Sequence, residues 1–279
     1  MLFRSTDSAY ICLDEVKNKL APDVPFLEWA YDFDKNFFTE FFDKLLRIYA
    51  KKYNIEHILN FNRDKIISKI LIQTCKKKYA AEVLDTEGVT HDEPKMDIKG
   101  IEVVRTSTPK YCRDKIMNVI QTIFKTKDRE QVMDVMRDMK KEFKKSSIED
   151  ISFPRGISEY DKYAEGIVPE QDMMFKKGTP MANRASICYN FLVKKYRMRV
   201  QTITNGTKIK FCYVLPRNEV RTNVISYIGK YPKKFKGVFE IDYEKQWRIS
   251  FQDVVQRFFD ALDWGEIDFN AGKLNKFFT

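Results

Sequence analysis

The first residues of the chain place a carboxylate where it could bind a metal ion. A polar run at residues 5–8, STDS, separates two short apolar segments, LF and AYICL. This pattern is typical of a β-hairpin, so we expect Asp7 to lie at the hairpin tip. A carboxylate in a turn is a common ligand of Mg²⁺. Asp and Ser are also ordinary turn formers, so the turn alone leaves both interpretations open.

The second candidate is a dense basic cluster that ends in a tyrosine. Its members are Arg63, Lys65, Lys69, Lys76, Lys77, Lys78 and Tyr79. On an extended strand, Lys76 and Lys78 would share one side and Lys77 would lie on the other. Lysines beside a strand can protect its edge from aggregation. They can equally bind phosphates and release counterions, so the residues alone favour neither role.

The third candidate is the predicted start of a helix in TSTPKYC. Thr108 occupies the N-cap and Pro109 the first helical position, and both residue types are favoured there. The hydroxyls of Ser107 and Thr108, with the N–H groups of the helix N-terminus, suit a phosphate. Arg105 adds a guanidinium. An ordinary helix cap explains the same residues.

These residues need a scaffold, and the first 105 residues predict an α+β unit. The segment DKNFFTEFFDKLLRIYAKKY predicts a long amphipathic helix whose aromatic face packs in the core. The β-rich runs HILNF, KIISKILI and KYAAEVLD follow it. We therefore expect a partial antiparallel sheet that is covered on one face by the helix.

From about residue 107 the pattern becomes mainly helical. Helices are predicted after Pro109, from Asp128 to Lys145, over residues 182–195 and over SFQDVVQRFFDAL. The predicted buried residues of the first two are Cys112, Ile116, Val119, Ile120, Ile123, Val132, Val135, Met136, Met139 and Phe143. A loop over residues 153–180 and an alternating strand, KIKFCYVLP, interrupt the helices. We expect domains over residues 1–105 and 106–265, and a mobile tail over residues 266–279.

Composition narrows the class of protein. With 279 residues and 43% hydrophobic side chains, the chain can bury a core. Its 50 Lys and Arg exceed its 40 Asp and Glu, and the net charge of +10 favours a polyanionic partner. Scattered cysteines without a C-x-x-C pair and two distant histidines argue against a zinc site, a disulfide framework and a Ser-His-Asp mechanism. No membrane span or signal peptide is predicted, so a cytoplasmic protein without a membrane partner is expected.

Three of these segments occur in the order and spacing of one known family. STDSAY, KKKYAAEV and KMDIKGIEVVRTSTPKYCR resemble the C-terminal portion of family B replicative DNA polymerases, most closely those of large tailed bacteriophages. In that family a Y-G-D-T-D-S hairpin in the palm carries catalytic carboxylates. A K-K-R-Y motif contacts the primer-template, and a K-G-x-E-x-x-R-S-S-T-P segment leads into the thumb. GTPMANRASICYNFLV and IDYEKQW resemble later thumb segments, so the resemblance covers nearly the whole chain.

The resemblance implies a palm portion over residues 1–105 and a thumb over residues 106–265. It implies that Asp7 is the hairpin carboxylate that binds both catalytic Mg²⁺ ions, and that the polymerase uses dNTP substrates. The primer-template DNA would contact Lys76, Lys77, Lys78, Tyr79, Arg105, Ser107 and Thr108.

Three departures from the family pattern affect this assignment. Ser5 replaces the first hairpin carboxylate and Arg4 replaces a glycine, and both changes weaken metal affinity electrostatically. Lys78 replaces an arginine and loses its bidentate geometry.

The family also has an exonuclease domain, a first palm carboxylate motif and a fingers helix upstream of the hairpin. Residues 1–279 contain none of these motifs ahead of the hairpin. Two-metal phosphoryl transfer needs two or more carboxylates holding ions roughly 3.5–4 Å apart. We therefore expect a split polymerase, in which a separate N-terminal polymerase chain completes the site and this chain alone is inactive. A non-catalytic remnant that binds DNA and a clamp, or a truncated reading frame, are the alternatives.

The last residues, AGKLNKFFT, resemble the Q-x-x-L-x-x-F-F peptide by which replication proteins bind a sliding clamp. On a helical turn, Leu274, Phe277 and Phe278 would share one face. Ala271 stands where the motif has Gln, which removes a polar anchor. Phage polymerases of this family end in a short apolar clamp-binding tail, so we expect clamp docking. The alternative is that the two phenylalanines fold back onto the thumb.

Overall fold

The computed structural model describes residues 2–4, 9–59, 61–74, 77–167 and 175–269. The chain divides between Lys99 and Gly100 into two compact units. We call residues 1–99 unit 1 and residues 100–279 unit 2. Both units combine helices with antiparallel sheets, which confirms the α+β class. Within the described ranges, no helix is long and apolar enough to cross a membrane.

Unit 1 contains a hairpin, a long helical segment and a three-stranded sheet. Its elements are β1 (Leu2–Arg4), β2 (Ala9–Ile11), α1 (Asp14–Leu20), α2 (Phe26–Phe33), α3 (Thr39–Lys52), β3 (Lys65–Ile72), β4 (Tyr79–Thr86) and β5 (Val89–Lys99). The expected hairpin is formed by β1 and β2, which pair antiparallel. Its turn, with Ser5 and Asp7, lies outside the described residues. The antiparallel sheet has β4 between β3 and β5.

The sequence predicted two of the three strands in this sheet. The run KIISKILI coincides with β3, and KYAAEVLD overlaps β4. The strand predicted at HILNF is wrong, because no strand lies between α3 and β3 in the described residues. Strand β5 was not expected, since VTHDEPKMDIK contains a proline and mostly exposed polar residues. Pairing with β4 along its length holds this strand in place.

Helices α2 and α3 are parts of one continuous helix. A π-helical segment, Asp34–Phe38, joins them without an interruption of helical structure. In a π-helix the hydrogen bonds close i→i+5 rather than i→i+4. Helix α2 provides the cover for the sheet, because Trp29 and Ala30 are buried in one cluster with Ile66 of β3.

The aromatic face of the same helix does not pack in a core, contrary to the sequence prediction. In α3 only Ala50 is buried. Phe37 and Phe41 are 51% and 48% exposed. The 3.6-residue period was interpreted correctly as a helix, but the apolar face lacks a covering element among the described residues of this chain.

Unit 2 contains helices packed around a second antiparallel sheet. Its elements are α4 (Lys110–Thr126), α5 (Arg129–Phe143), α6 (Ile148–Ile151), β6 (Phe153–Gly156), α7 (Tyr160–Ala164), α8 (Met181–Lys195), β7 (Lys208–Tyr213), β8 (Val224–Tyr227), α9 (Tyr243–Trp247) and α10 (Asp253–Ala261). Strand β7 pairs with both β6 and β8. Helix α8 lies against β8, and a buried cluster with Tyr189, Leu192, Phe211 and Phe235 fills this region.

Most of the helices predicted in this half are confirmed. Every predicted buried residue of α4 and α5 is buried except Val135, which is half-buried while its neighbour Met133 is fully buried. The predicted loop contains β6 and α7, which sequence reasoning missed. Residues 168–174 of that loop lie outside the described residues.

Candidate nucleic-acid interface

The lysine residues near position 77 lie in the connection between β3 and β4, which we call the lysine turn (residues 73–78). The main-chain N–H of Gln73 donates to the carbonyl oxygen of Lys78 at 3.0 Å and closes the turn. Lys77 is exposed and Lys78 is half-buried, while Lys76 lies outside the described residues. Neither Lys77 nor Lys78 is in a strand, so the alternation considered for an extended strand does not apply to them.

The position of the lysine turn bears on its role. It leads into β4, which is the central strand of its sheet and has no open edge along its length. Protection of a strand edge therefore does not explain these lysines. An exposed positive charge at the end of a sheet is suited to a phosphate group.

Two features of the turn reduce its stability. Lys77 adopts a left-handed backbone conformation, with φ of 61°, although it is not glycine. The side-chain amide of Gln73 is buried and has no hydrogen-bond partner among the residues that the structure describes. Unfavourable features of this kind are concentrated at functional sites.

Tyr79 directly follows the lysine turn and is the first residue of β4. Its side chain is 3% exposed, so it anchors the start of β4 and does not present its ring on the surface of this chain. Its hydroxyl donates to a carboxylate oxygen of Asp97 at 3.0 Å and accepts from the Tyr10 hydroxyl at 2.9 Å. Burial, together with these two neighbours, raises the pKa of Tyr79 well above its ordinary value. The phenol therefore stays protonated and holds its hydrogen bonds at any physiological pH.

The hydrogen bonds of Tyr79 continue across the sheet. Lys65 of β3 donates to the same Asp97 oxygen at 2.8 Å. Burial of the Asp97 carboxyl opposes its ionisation, but the bonds from Lys65 and Tyr79 outweigh that effect and lower its pKa. Tyr10 also packs edge-to-face on Tyr79, with ring centroids 5.5 Å apart. The network therefore ties β2, the strand that follows the Asp7 turn, to the strand that follows the lysine turn.

Internal ion pairs occupy the other members of the basic cluster. Lys69 pairs with Glu82 at 3.2 Å, and Lys65 with Asp97. Arg63 pairs with Asp34 at 2.8 Å and with the fully buried Asp85. Arg63, Lys65 and Lys69 therefore stabilise unit 1 through these ion pairs.

In unit 2, the three residues expected near a helix start have different environments. Helix α4 begins at Lys110 with Pro109 as its N-cap, one residue later than predicted, and no side chain caps it. Thr108 is not the N-cap. It is buried, and its hydroxyl donates to the carbonyl oxygen of Glu102 at 2.7 Å. This hydroxyl orders the loop before α4 and is not available to a ligand.

The rest of the loop is more open. Arg105 is exposed, and its guanidinium donates a long 3.4 Å bond to the Gly100 carbonyl oxygen. Ser107 is half-buried. Glu102 accepts from Arg257 at 2.6 Å, which anchors the loop to α10. Arg105 and the first N–H groups of α4 remain the donors that could reach a phosphate.

Two of the predicted sites cannot be compared with the structure. Asp7 and the clamp-binding residues Leu274, Phe277 and Phe278 lie outside the described residues. Within the described ranges, no group of three or more His, Cys, Asp or Glu side chains could hold a metal ion.

Sequence reasoning missed Tyr10, Lys65 and Asp97 as a connected network. Alternation along β4 would place Tyr79, Ala81 and Val83 on one face, and the structure packs Tyr10 against that face. No sequence signal pairs Lys65 with Asp97, because β5 itself was not predicted.

A basic chain with an exposed lysine, Lys77, at the end of a sheet is suited to a polyanionic partner. The sequence model of DNA polymerase family B matches residues 33–261. The chain belongs to this family, and the resemblance found in its sequence motifs is confirmed.

Two curated relatives are DNA-directed DNA polymerases of bacteriophages. The chain is 24% identical to that of Enterobacteria phage T4 over 286 aligned residues, which cover 88% of this chain and 31% of the relative. It is 28% identical to that of Escherichia phage RB69 over 141 residues, which cover 43% of this chain and 15% of the relative. The chain therefore corresponds to a portion of a phage family B polymerase and spans about a third of the length of the T4 relative.

Proposed function

We propose that the chain is the C-terminal palm and thumb portion of a DNA-directed DNA polymerase and grips the primer-template during phage DNA replication. The observation that carries this proposal is the lysine turn, supported from below by Tyr79 and Asp97, in a chain of DNA polymerase family B. Lys65 and Lys69 are held in ion pairs within unit 1, and in this proposal the lysines of the turn meet the DNA.

In this proposal Lys76, Lys77 and Lys78 neutralise backbone phosphates, while Tyr79 positions them. Arg105 and the N-terminus of α4 form a second phosphate contact in unit 2, and Ser107 and Thr108 shape the loop that presents it. These groups read no base edges, so binding is strong at low salt and has little sequence preference.

Catalysis requires Asp7 and ligands from elsewhere. Asp7 supplies one carboxylate for the Mg²⁺ ions, which would neutralise charge on the dNTP phosphates when bound. One carboxylate cannot hold two ions, so the N-terminal polymerase chain supplies the other ligands, the exonuclease domain and the fingers. Leu274, Phe277 and Phe278 bind the sliding clamp and keep the assembled enzyme on DNA.

Primer extension tests the catalytic part of the proposal. Neither chain alone extends a primer with dNTPs and Mg²⁺, and the mixture does. Asp7→Asn abolishes extension by the mixture, whereas Asp23→Asn, a change at an exposed turn aspartate, does not. Full activity of the mixture with the Asp7→Asn protein would show that Asp7 is a turn residue without a role in catalysis.

Salt-dependent DNA binding tests the grip. Lys77→Glu/Lys78→Glu weakens binding to duplex DNA and lowers the slope of log K against log salt by about 0.9 for each lost phosphate contact. The control Lys125→Glu/Lys141→Glu makes the same charge change on helices α4 and α5. Equal slopes for the turn variant and the wild type would show that Lys77 and Lys78 do not contact DNA phosphates.

The sequence also supports a second function, because Ser5 replaces a family carboxylate. In this alternative the chain is a remnant that binds DNA and the clamp without catalysis. A mixture that binds DNA normally but extends no primer would establish it.

A further inference from the structure

Ten large apolar side chains between residues 37 and 61 are exposed. They are Phe37, Phe41, Leu45, Ile48, Tyr49, Tyr53, Ile55, Ile58, Leu59 and Phe61. We call this set the outer apolar surface of unit 1. The first five belong to the continuous helix, and the others belong to the segment that follows α3.

The helix presents two parallel rows of apolar residues, each with a spacing of four. The inner row, Phe38, Phe42, Leu46 and Ala50, is half-buried or buried. The outer row, Phe37, Phe41, Leu45 and Tyr49, is about half exposed. Residues four apart lie along one side of a helix. The outer row therefore forms a stripe about 18 Å long, at 1.5 Å per residue.

Ring contacts order the aromatic part of the outer apolar surface. Phe37 stacks on Phe41 with centroids 5.8 Å apart and rings 7° from parallel. Tyr49 and Tyr53 lie 4.7 Å apart. Phe61 stacks on Phe42 of the inner row with ring centroids 5.2 Å apart. The segment after α3 therefore packs against the helix at this point. A surface that is ordered before binding loses little conformational entropy when a partner covers it.

A hydrogen-bonded pair also holds this segment. His57 and Asp43 of α3 lie 3.1 Å apart, and Arg47 donates to the other Asp43 oxygen at 2.7 Å. The hydrogen bond from Arg47 has the larger effect and the one with His57 the smaller, and both lower the pKa of the Asp43 carboxyl. The carboxylate therefore stays ionised and keeps the segment against the helix.

Together these ten side chains expose more apolar area than the largest single patch on a typical soluble monomer. A half-exposed aromatic or long aliphatic side chain presents about 100 Å², so ten present about 1,000 Å². The largest apolar patch on a typical monomer is about 300–600 Å². A stable interface buries about 800 Å² on each partner, which this surface alone can provide.

We propose that the outer apolar surface is the docking surface for the N-terminal polymerase chain. This inference rests on the proposed function and adds where the two chains meet. The T4 relative is about three times as long as the part that this chain covers, so a large polypeptide is available to bury the surface.

Charge disfavours a second copy of this chain as the occupant. Five basic and two acidic residues lie between Lys35 and Lys52 along the helix. Two copies packed face to face would bring these like charges together at a cost. The partner surface is therefore apolar at its centre and acidic at its rim.

The test uses paired substitutions and the purified N-terminal polymerase chain as the probe. Phe41→Lys/Leu45→Lys places two charges in the outer row, and Leu20→Lys/Val89→Lys makes the same change at exposed apolar positions outside it. Size-exclusion chromatography with light scattering and titration calorimetry report complex formation. We expect a 1:1 complex for the wild type and the control, and at least a hundredfold weaker affinity for the outer-row variant.

Unchanged circular dichroism and thermal unfolding of the isolated variants verify their folding, which is expected because the substituted side chains are exposed. The proposal is overturned if the outer-row variant binds as tightly as the wild type, or if the wild type does not bind. It is also overturned if this chain alone forms a dimer that the variant dissociates. A complex that forms through this surface but extends no primer supports the docking surface and refutes the polymerase function.

Discussion

Units 1 and 2 differ in how completely each buries its apolar side chains. Among the described residues, sixteen large apolar side chains are exposed, and fourteen of them lie in unit 1. Only Val104 and Val200 belong to unit 2. Unit 2 is also the longer of the two in described residues, so the difference does not arise from its size. Its helices and its sheet each cover the other's apolar face.

The difference shows that amphipathic elements in the two units have different partners. In unit 2 the apolar faces of α4 and α5 are closed by residues of the same unit. In unit 1, α2 packs on the sheet in a cluster that also includes Val16 of α1, and the rest of the continuous helix keeps an open face among the described residues. Unit 1 therefore holds its fold with a small core and with polar networks.

The largest expected effect is in the core of unit 2. Phe143 is fully buried and meets Tyr111 and Trp247 edge-to-face at 5.5 Å and 5.2 Å. Phe143→Ala should lower the free energy of unfolding of unit 2 by about 3–5 kcal/mol, because it leaves a cavity. Phe41→Ala should cost less than about 1 kcal/mol, since Phe41 is half exposed. Urea unfolding of the isolated chain measures the free energy of unfolding of both variants. Equal losses would contradict the expected difference between the two units.

The second effect concerns the ion pairs of unit 1. Asp85 is fully buried, accepts from Tyr31 at 2.5 Å and pairs with Arg63. Asp85→Ala should destabilise unit 1 by about 3 kcal/mol at pH 7, because it leaves the charge of Arg63 partly unpaired. Hydrogen exchange of peptides from β3 and β4 measures this change. Wild-type protection in the variant would show that the small core suffices.

The same carboxyl predicts how stability depends on pH. Burial opposes ionisation of Asp85, but the bonds from Tyr31 and Arg63 outweigh it and hold its pKa below the ordinary value of 3.8. Because the folded pKa is lowered, this stabilisation is complete above 3.8 and is lost as the pH falls through the lower folded value. Protection of β3 and β4 should therefore decrease in acid for the wild type. It should decrease less for Asp85→Ala.

A smaller effect is expected beneath the lysine turn. Tyr79→Phe removes the hydroxyl that joins Tyr10 to Asp97 and should cost about 1–2 kcal/mol of unit 1 stability. It keeps the buried ring, so Tyr79→Ala, which also loses packing, should cost more. Hydrogen exchange of β4 separates the two. A Tyr79→Phe protein as stable as the wild type would mean that the hydrogen-bond network does not stabilise the turn.

The smallest effect on stability is expected at Lys77. Its side chain is exposed and its φ is positive, so Lys77→Gly should leave the stability of unit 1 unchanged within about 0.5 kcal/mol or raise it slightly. The same variant should bind duplex DNA more weakly, as measured by fluorescence anisotropy at two salt concentrations. A large loss of stability with unchanged DNA binding would show that Lys77 stabilises unit 1 and does not contact DNA.

Local patterns in the sequence predicted many of the elements. The strand at KIISKILI and the buried stripe from Cys112 to Ile123 follow from alternation and from helical spacing, which depend on neighbours along the chain. The family motifs predict DNA contacts at residues 76–79, and that role stays a prediction. The ion pairs of Lys65 and Lys69 could not be predicted, because an ion pair depends on which strand lies alongside.

Long-range partners explain the wrong predictions. The aromatic stripe of α3 was expected in the core, because an amphipathic pattern shows that a face is apolar but not which polypeptide covers it. Thr108 was expected at the helix cap, where its residue type is favoured, but its hydroxyl bonds to Glu102 instead. Strand β5 has too few apolar residues to be recognised without its partner strand.

The π-helical segment Asp34–Phe38 has a consequence for the evolution of this surface. A π-helical turn accommodates one residue more than an α-helical turn, and each residue of an α-helix turns the chain by about 100°. Deletion of one residue here would return the segment to α-helical geometry and would leave the side chains of α3 pointing in nearly the same direction relative to Trp29 and Ala30. The π-helical segment can therefore absorb the loss of one residue, and a single-codon deletion at this point would preserve the direction of the aromatic stripe.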